Sequence, residues 1–414
     1  MTVTVKKSDP IKSIAQALFI IYVFALFLFS FQARYVNYTE YVFYLFAGFV
    51  ILYIAVRRKI LLTKAHYSIL LFCFVCFLSN LWAIDSATSM QSSISLLLLA
   101  LLSIFVYQVF EKKDVDKLIK AIFYAGVALV FYTALDVGIS TYIDSIFSGD
   151  RLGGTMNAAN TFGVYCSVAF SAGLYLFRRK KWYYGVLMAL IFSGILVSGS
   201  RNGFIITTIG TVLAFLFAFK KTSFNKKFFY LSLFAIFLFI VYKLGYFDSI
   251  FSRFEDLNVD AEAGEEIDPS FSSRLFMIRF GFENFFKKPF LGYGTANAQF
   301  LLEKVWAKTY LHNNYVELLV NVGIIGFAFY YGTHVLVINL LLKKRKEPFD
   351  ACEAVLVLLV VLLAADMSIV FYYNKLTYIV LTMGMCLCRE SAVATETAEN
   401  APAEIGQKQT EGVR

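Results

Sequence analysis

The chain has 414 residues, of which 59% are hydrophobic and only 16% charged, with a mean hydropathy of +0.67. That balance excludes an ordinary soluble domain and points to an integral membrane protein. The formal net charge of +9 comes with no basic stripe interleaved with aromatics, so it reads as loops facing anionic lipid and excludes a nucleic-acid partner.

Apolar runs of about 17 to 25 residues, the length that crosses a bilayer core of about 30 Å, recur along the chain. About twelve are expected, over 13–32, 40–56, 67–84, 92–110, 118–138, 157–177, 182–198, 203–219, 228–246, 314–341, 351–370 and 372–388. The first follows Lys6, Lys7 and Lys12 and has no small-residue cleavage site, so it reads as a retained helix and not a signal peptide.

Basic clusters follow every even-numbered span: Arg57 to Lys59 with Lys64, Lys112 to Lys120, Arg178 to Lys181, Lys220 to Lys227, and Lys343 to Lys346. The odd-numbered exits hold only Arg34, Arg151, Arg201 and Lys375, so both termini are expected in the cytoplasm. The predicted fold is all-α, a polytopic membrane helix bundle. Transmembrane helices 1–9 lie in 1–246, one large outward loop occupies 247–311, helices 10–12 lie in 312–389, and 390–414 is a disordered cytoplasmic tail rich in Ala, Glu and Thr.

The outward loop begins with an acidic stretch, Glu255 to Asp268, that reads as a solvated segment or, less simply, a divalent-cation site. Its second part, SSRLFMIRFGFENFF (272–286), repeats apolar residues at Leu275, Ile278, Phe282, Phe285 and Phe286. Those spacings of three and four predict an amphipathic helix, capped by Ser272 or Ser273, lying on the membrane surface or against the bundle. Pro289 and the turn Gly292-Tyr-Gly294 then stop the helix and return the chain to the bilayer.

Ionisable groups inside or beside the spans need a reason, because a charge near the bilayer centre costs at least about 2.5 kcal/mol. Asp136, Glu317, Asp366, Arg201, Arg274 and His312 are all expected at the outer level, whereas the inner half of the bundle is nearly apolar. That asymmetry argues against a through-membrane path and for a site opening at the outer interface. Outward arginines can hold a diphosphate, since a guanidinium stays charged and its fork matches phosphate oxygens. Arg201, in VSGSRNG (197–203), has two readings: a snorkelling contact with headgroups, or a ligand contact presented by a glycine-shaped turn. His312 can exchange a proton near neutrality, while His66 and His334 read as structural. With one candidate histidine and no HExxH or DxD motif, neither a metal nor another cofactor is called for. The six cysteines give no disulfide framework and read as packing residues.

Four stretches together resemble the O-antigen ligase and polymerase superfamily of bacterial membrane glycan transferases: SGSR (198–201), HNNYVELLVNVGIIGF (312–327), LSNLWAIDSATS (78–89) and RLGGTMNAANTFG (151–163). The last is similar to the family's Gly-Thr-x-x-Asn segment but lacks the proline often found there. The resemblance implies a glycosyltransferase at the outer face of the bacterial cytoplasmic membrane. It would take a glycan from an undecaprenyl-diphosphate carrier and pass it to a growing polysaccharide or to lipid A-core. It implies donor-diphosphate contacts at Arg201 and Arg274 and assistance by His312 to the attacking hydroxyl. Arg151, Asn157, Asn313, Asn314 and Glu317 are expected as substrate contacts, with Glu317 alternatively orienting a neighbouring helix and the asparagines alternatively capping. Membrane lipids, a flippase and a chain-length regulator are the partners implied. A flippase or transporter of the same pathway is the alternative reading.

Overall fold

A computed structural model describes residues 9–29, 35–148, 151–153, 158–178, 181–219, 269–345 and 350–389, with isolated positions between 223 and 236. Among these residues the chain is helical and contains no strand. The expected ninth span at 228–246, the acidic stretch, Asn157 and the C-terminal tail lie outside the described residues.

The helices in chain order are α1 (Pro10–Phe29), α2 (Val36–Arg57), α3 (Lys64–Leu78), α4 (Ser86–Val109), α5 (Val115–Val137), α6 (Ile139–Ser148), α7 (Ala159–Phe177), α8 (Trp182–Val197) and α9 (Arg201–Ala218). The later helices are α10 (Pro269–Lys287), α11 (Ala298–Leu302), α12 (Asn314–Lys344), α13 (Ala351–Ala365) and α14 (Lys375–Cys388). Six of the starts have a local cause. Side chains of Thr63, Asp85, Ser200, Asn313, Asp350 and Asn374 each accept a hydrogen bond from a first-turn amide, satisfying donors that the helix cannot.

Seven helices among the described residues are long and apolar enough to cross a membrane: α1, α2, α3 with the 3-10 turn that extends it, α4, α5, α9 and α12. Helices α8, α13 and α14 are apolar but shorter. Helix α1 packs on α2 and α5, α7 on α5, α8, α9 and α13, and α3 and α14 both pack on α4 and α12. Where lipid surrounds the helices, close approach and interhelical hydrogen bonds hold them together, and small residues permit both. The α7–α9 crossing shows this. Gly203 lies against the backbone of Gly163, and Ser167 donates to the Gly203 carbonyl at 2.8 Å while accepting from Thr207 at 2.8 Å.

Connections sort to two ends of the bundle. At one end, Lys12 pairs with Glu111, Gln16 bonds to the Val109 carbonyl and Asp114, Lys344 donates to the Cys388 carbonyl, and Arg389 donates to the Tyr107 carbonyl. At the other end, Ser79 meets Thr295 at 2.9 Å, Asn297 accepts from the Asp85 amide at 2.6 Å, and Asn313 donates to the Met367 carbonyl at 3.1 Å. The first group carries the basic clusters, and the second carries the candidate residues.

Helix α12 departs from the single run expected over 314–341. Gly323 has φ 64° and ψ −171°, so the helix is broken into two pieces there. The 290–294 turn fills the break. The amides of Tyr293 and Gly294 donate to the carbonyls of Val320 and Asn321 at 3.0 and 2.9 Å, and the Ile324 amide donates to the Pro289 carbonyl at 2.8 Å. Backbone groups released by the break are thus answered by protein, the condition for irregular backbone at membrane depth. Glycine is required on both sides. A Cβ on Gly323 would lie 2.2 Å from the Phe290 oxygen, and one on Gly292 would lie 2.5 Å from two α12 carbonyl oxygens.

Candidate active site

Three parts of the chain meet at the second end: 151–153 with 158–160, 198–201 and 310–314. The exposed Arg151 donates through Nε to the Ser198 carbonyl at 3.4 Å and through Nη2 to Asn160 Oδ1 at 2.9 Å. The same Asn160 oxygen accepts from Ser200 Oγ at 3.1 Å. Ser200 in turn caps α9, and Gly199, at φ 53°, makes the turn that aims it. Asn160 therefore joins the segment carrying Arg151 to the turn that launches α9.

Beside these residues is an open cleft of about 290 Å³, lined by Arg151, Asn160, Thr161, Tyr310 and Ile369 among others. Tyr310 stands in its wall, and His312 lies against Tyr310 with ring centroids 4.1 Å apart. His312 has φ 52°, the left-handed region that a side chain disfavours. A strained backbone persists only where its surroundings over-determine it, and such positions cluster at functional sites. Burial and then the Arg274 guanidinium hold the His312 imidazole down to about 4, so the ring is neutral at physiological pH.

Arg274 comes from α10. Its helix neighbours at i+3 and i+7, Met277 and Gly281, are buried against α12, where a Cβ on Gly281 would meet Val316 at 2.2 Å. The expected amphipathic helix is present and starts earlier, at Pro269, so Ser272 and Ser273 lie inside it. Its packed face is Met277, Gly281 and Asn284, while Leu275, Phe282 and Phe286 are exposed.

Arg201 occupies the first position of α9, one residue beyond Ser200. It is partly buried and does not line the cleft. Asn313 is the N-cap of α12: its Oδ1 accepts from the Val316 amide at 3.1 Å.

Two of the expected substrate contacts have partners inside the protein. Asn314 is fully buried; its Nδ2 donates to Tyr331 Oη and Asp366 Oδ2, and its Oδ1 accepts from the Phe371 and Tyr372 amides. Two donors and two lone pairs are an asparagine's whole capacity, so nothing remains for a sugar. Glu317 is likewise buried, and both oxygens are engaged: Oε2 accepts from the Leu311 amide at 2.8 Å and Oε1 from Asn321 Nδ2 at 3.0 Å. It holds its own loop and not a neighbouring helix. Asp366 belongs to the Asn314 network, and Asp136 is exposed on α5. His66 and His334 are buried, with Nδ1 bonded to Thr63 and to the Tyr330 carbonyl respectively.

Sequence reasoning missed Asn160 and Tyr310. Asn160 sits three residues after Asn157 in the same quoted segment, and Tyr310 two residues before His312. Their signal was position alone, because a bridging amide and a stacked ring are made by the fold.

A family model described as O-Antigen ligase matches residues 186–331. That segment of the chain is similar to the O-antigen ligase family. The matched segment runs from α8 into α12, so it includes Arg201, Arg274, Tyr310 and His312. Arg151, Asn160 and Ile369 reach the cleft from outside it. No curated protein matches the chain. The match supports an O-antigen ligase or polymerase type of function, and the apolar helices suggest a multi-pass membrane protein.

Proposed function

We propose that the protein transfers a glycan from an undecaprenyl-diphosphate carrier to an acceptor hydroxyl at the outer face of the bacterial cytoplasmic membrane. The observation that carries this reading is the neutral His312 imidazole beside the Arg274 cation, on a loop that walls the Arg151 cleft. An acceptor hydroxyl gives its proton to His312 as its oxygen attacks the anomeric carbon. The bond from that carbon to the carrier phosphate breaks, its electron pair leaves with the diphosphate, and configuration inverts.

Charge then grows on the leaving phosphate oxygens. Arg274 and Arg201, with Arg151 at the cleft, are fixed cations that stabilise it before and during bond breaking. A bound diphosphate also offsets Arg274, which raises the His312 pKa from its low resting value and strengthens the base when donor is present. The acceptor is the next lipid-linked repeat unit in a polymerase or lipid A-core in a ligase. A flippase reading is not favoured, because the matched domain is a ligase domain.

The test is transfer by purified protein given an undecaprenyl-diphosphate-linked repeat unit, with EDTA present. His312→Ala, Arg274→Ala and Arg201→Ala should each lower transfer by about 10²-fold or more, the scale of a lost proton acceptor or charge stabiliser. Full activity in the His312 variant would remove the assigned base.

A further inference from the structure

Glu317 has no part in the chemistry proposed above, yet it is buried and tied to the loop that carries His312. Its Oε2 accepts from the amide of Leu311, the residue before His312, at 2.8 Å. Residues on the far side are fixed as well: the Asn313 side chain caps the Val316 amide, and the Asn314 amide donates to the Asp366 carbonyl at 2.7 Å. Leu311 is itself fully buried, against Gly281 of α10. His312 is therefore suspended between two pinned neighbours, which accounts for its φ of 52°.

The second oxygen shows why the group is a carboxylate. Asn321 Oδ1 accepts from the Ala298 amide at 2.7 Å, which fixes the orientation of that side-chain amide. Its Nδ2 must then face Glu317 and Tyr372 Oη, at 3.0 and 3.2 Å. Glu317 thus meets a donor on each side, the Leu311 N–H and the Asn321 NH₂. Two acceptor oxygens satisfy both; a glutamine would turn an NH₂ group against one of them.

We infer that Glu317 is a positioning residue for His312, acting through the Leu311 amide and held by an amide network that runs to α11 and α14's approach segment. This rests on the reading of His312 as the proton acceptor only for its consequence in turnover.

The experiment uses full-length protein in detergent with isotope-labelled histidine, three residues in all, and follows the His312 ring by NMR titration. In Glu317→Gln the midpoint should move from near 4 toward 6.5. With the lipid-linked repeat unit, turnover should fall about tenfold or more with KM little changed, as expected when a reacting group is misplaced. The exchanged pair, Glu317→Gln with Asn321→Asp, restores one donor facing one acceptor and should return both readouts. A wild-type titration and turnover in Glu317→Gln overturns the inference. So does an exchanged pair as perturbed as the single variant, including the case in which the single variant does not fold. If His312→Ala keeps full transfer activity while Glu317→Gln shifts the titration, the proposed chemistry falls and the positioning role stands.

Discussion

One oxygen on Asn160 orders two segments, because Arg151 and Ser200 both donate to it. Asn160→Leu removes that acceptor at similar size. The expected cost is about 0.5–1.5 kcal/mol, the range for an ordinary hydrogen bond, because the Arg151 contact is exposed to solvent. Transfer should fall about tenfold as Arg151 loses its bearing on the cleft, and wild-type kinetics in this variant would show that Arg151 is held by other means. His312 makes a prediction in pH. Its folded pKa is about 4 against an ordinary 6.5, so between those values the unfolded chain binds a proton that the folded chain refuses. The ring's contribution is fully present above pH 6.5 and is lost as pH falls toward 4. Relative to His312→Asn, the wild type should lose more thermal stability between pH 7 and 5; equal losses in both would show that the ring is not buried as a neutral group.

At the scale of elements, the break in α12 gives the largest stability prediction. Gly323→Ala forces a side chain onto a positive φ and into the Phe290 oxygen, and should cost several kcal/mol, about 2–4 by the strain and clash together. Gly48, in the middle of α2, has open space around its Cβ. Gly48→Ala should be neutral or stabilise by up to about 1 kcal/mol, since only helix propensity changes. Thermal unfolding of the two variants in one detergent compares them directly, and equal shifts would contradict the strain at 323. The apolar runs were legible in the sequence because their pattern is local, whereas the caps at Thr63, Asp85 and Asn374, which accept from the next turn, were not singled out there. The break was not legible. The apolar pattern runs straight through NVGIIGF, and what bends the helix is the turn at 290–294, some thirty residues earlier in the chain.

For the molecule as a whole, the alternation of basic connections foretold which loops share an end, and the contacts at each end agree with it. What charge alternation left open was distance: Arg151 meets Ser198 and Asn160 and lines the cleft, whereas Arg201 is not among its lining residues. The outward orientation is testable by labelling. A cysteine at Lys308, whose side chain is 50% exposed, should react in intact cells with a membrane-impermeant maleimide. One at Lys113, 75% exposed at the opposite end, should react only after permeabilisation. The native cysteines are buried apart from Cys388, so background is low. The reverse pattern would invert the topology.

A helix interrupted within a membrane usually exposes carbonyl oxygens, and ion-coupled carriers use such oxygens to seat a sodium ion or proton donor. Here the Val320 and Asn321 carbonyls at the interruption already accept amides of the 293–294 turn. The bend in α12 is therefore a joint between two parts of one scaffold. Energy for the proposed transfer comes from the activated diphosphate bond of the donor, so replacing sodium by potassium in the assay should leave its rate unchanged.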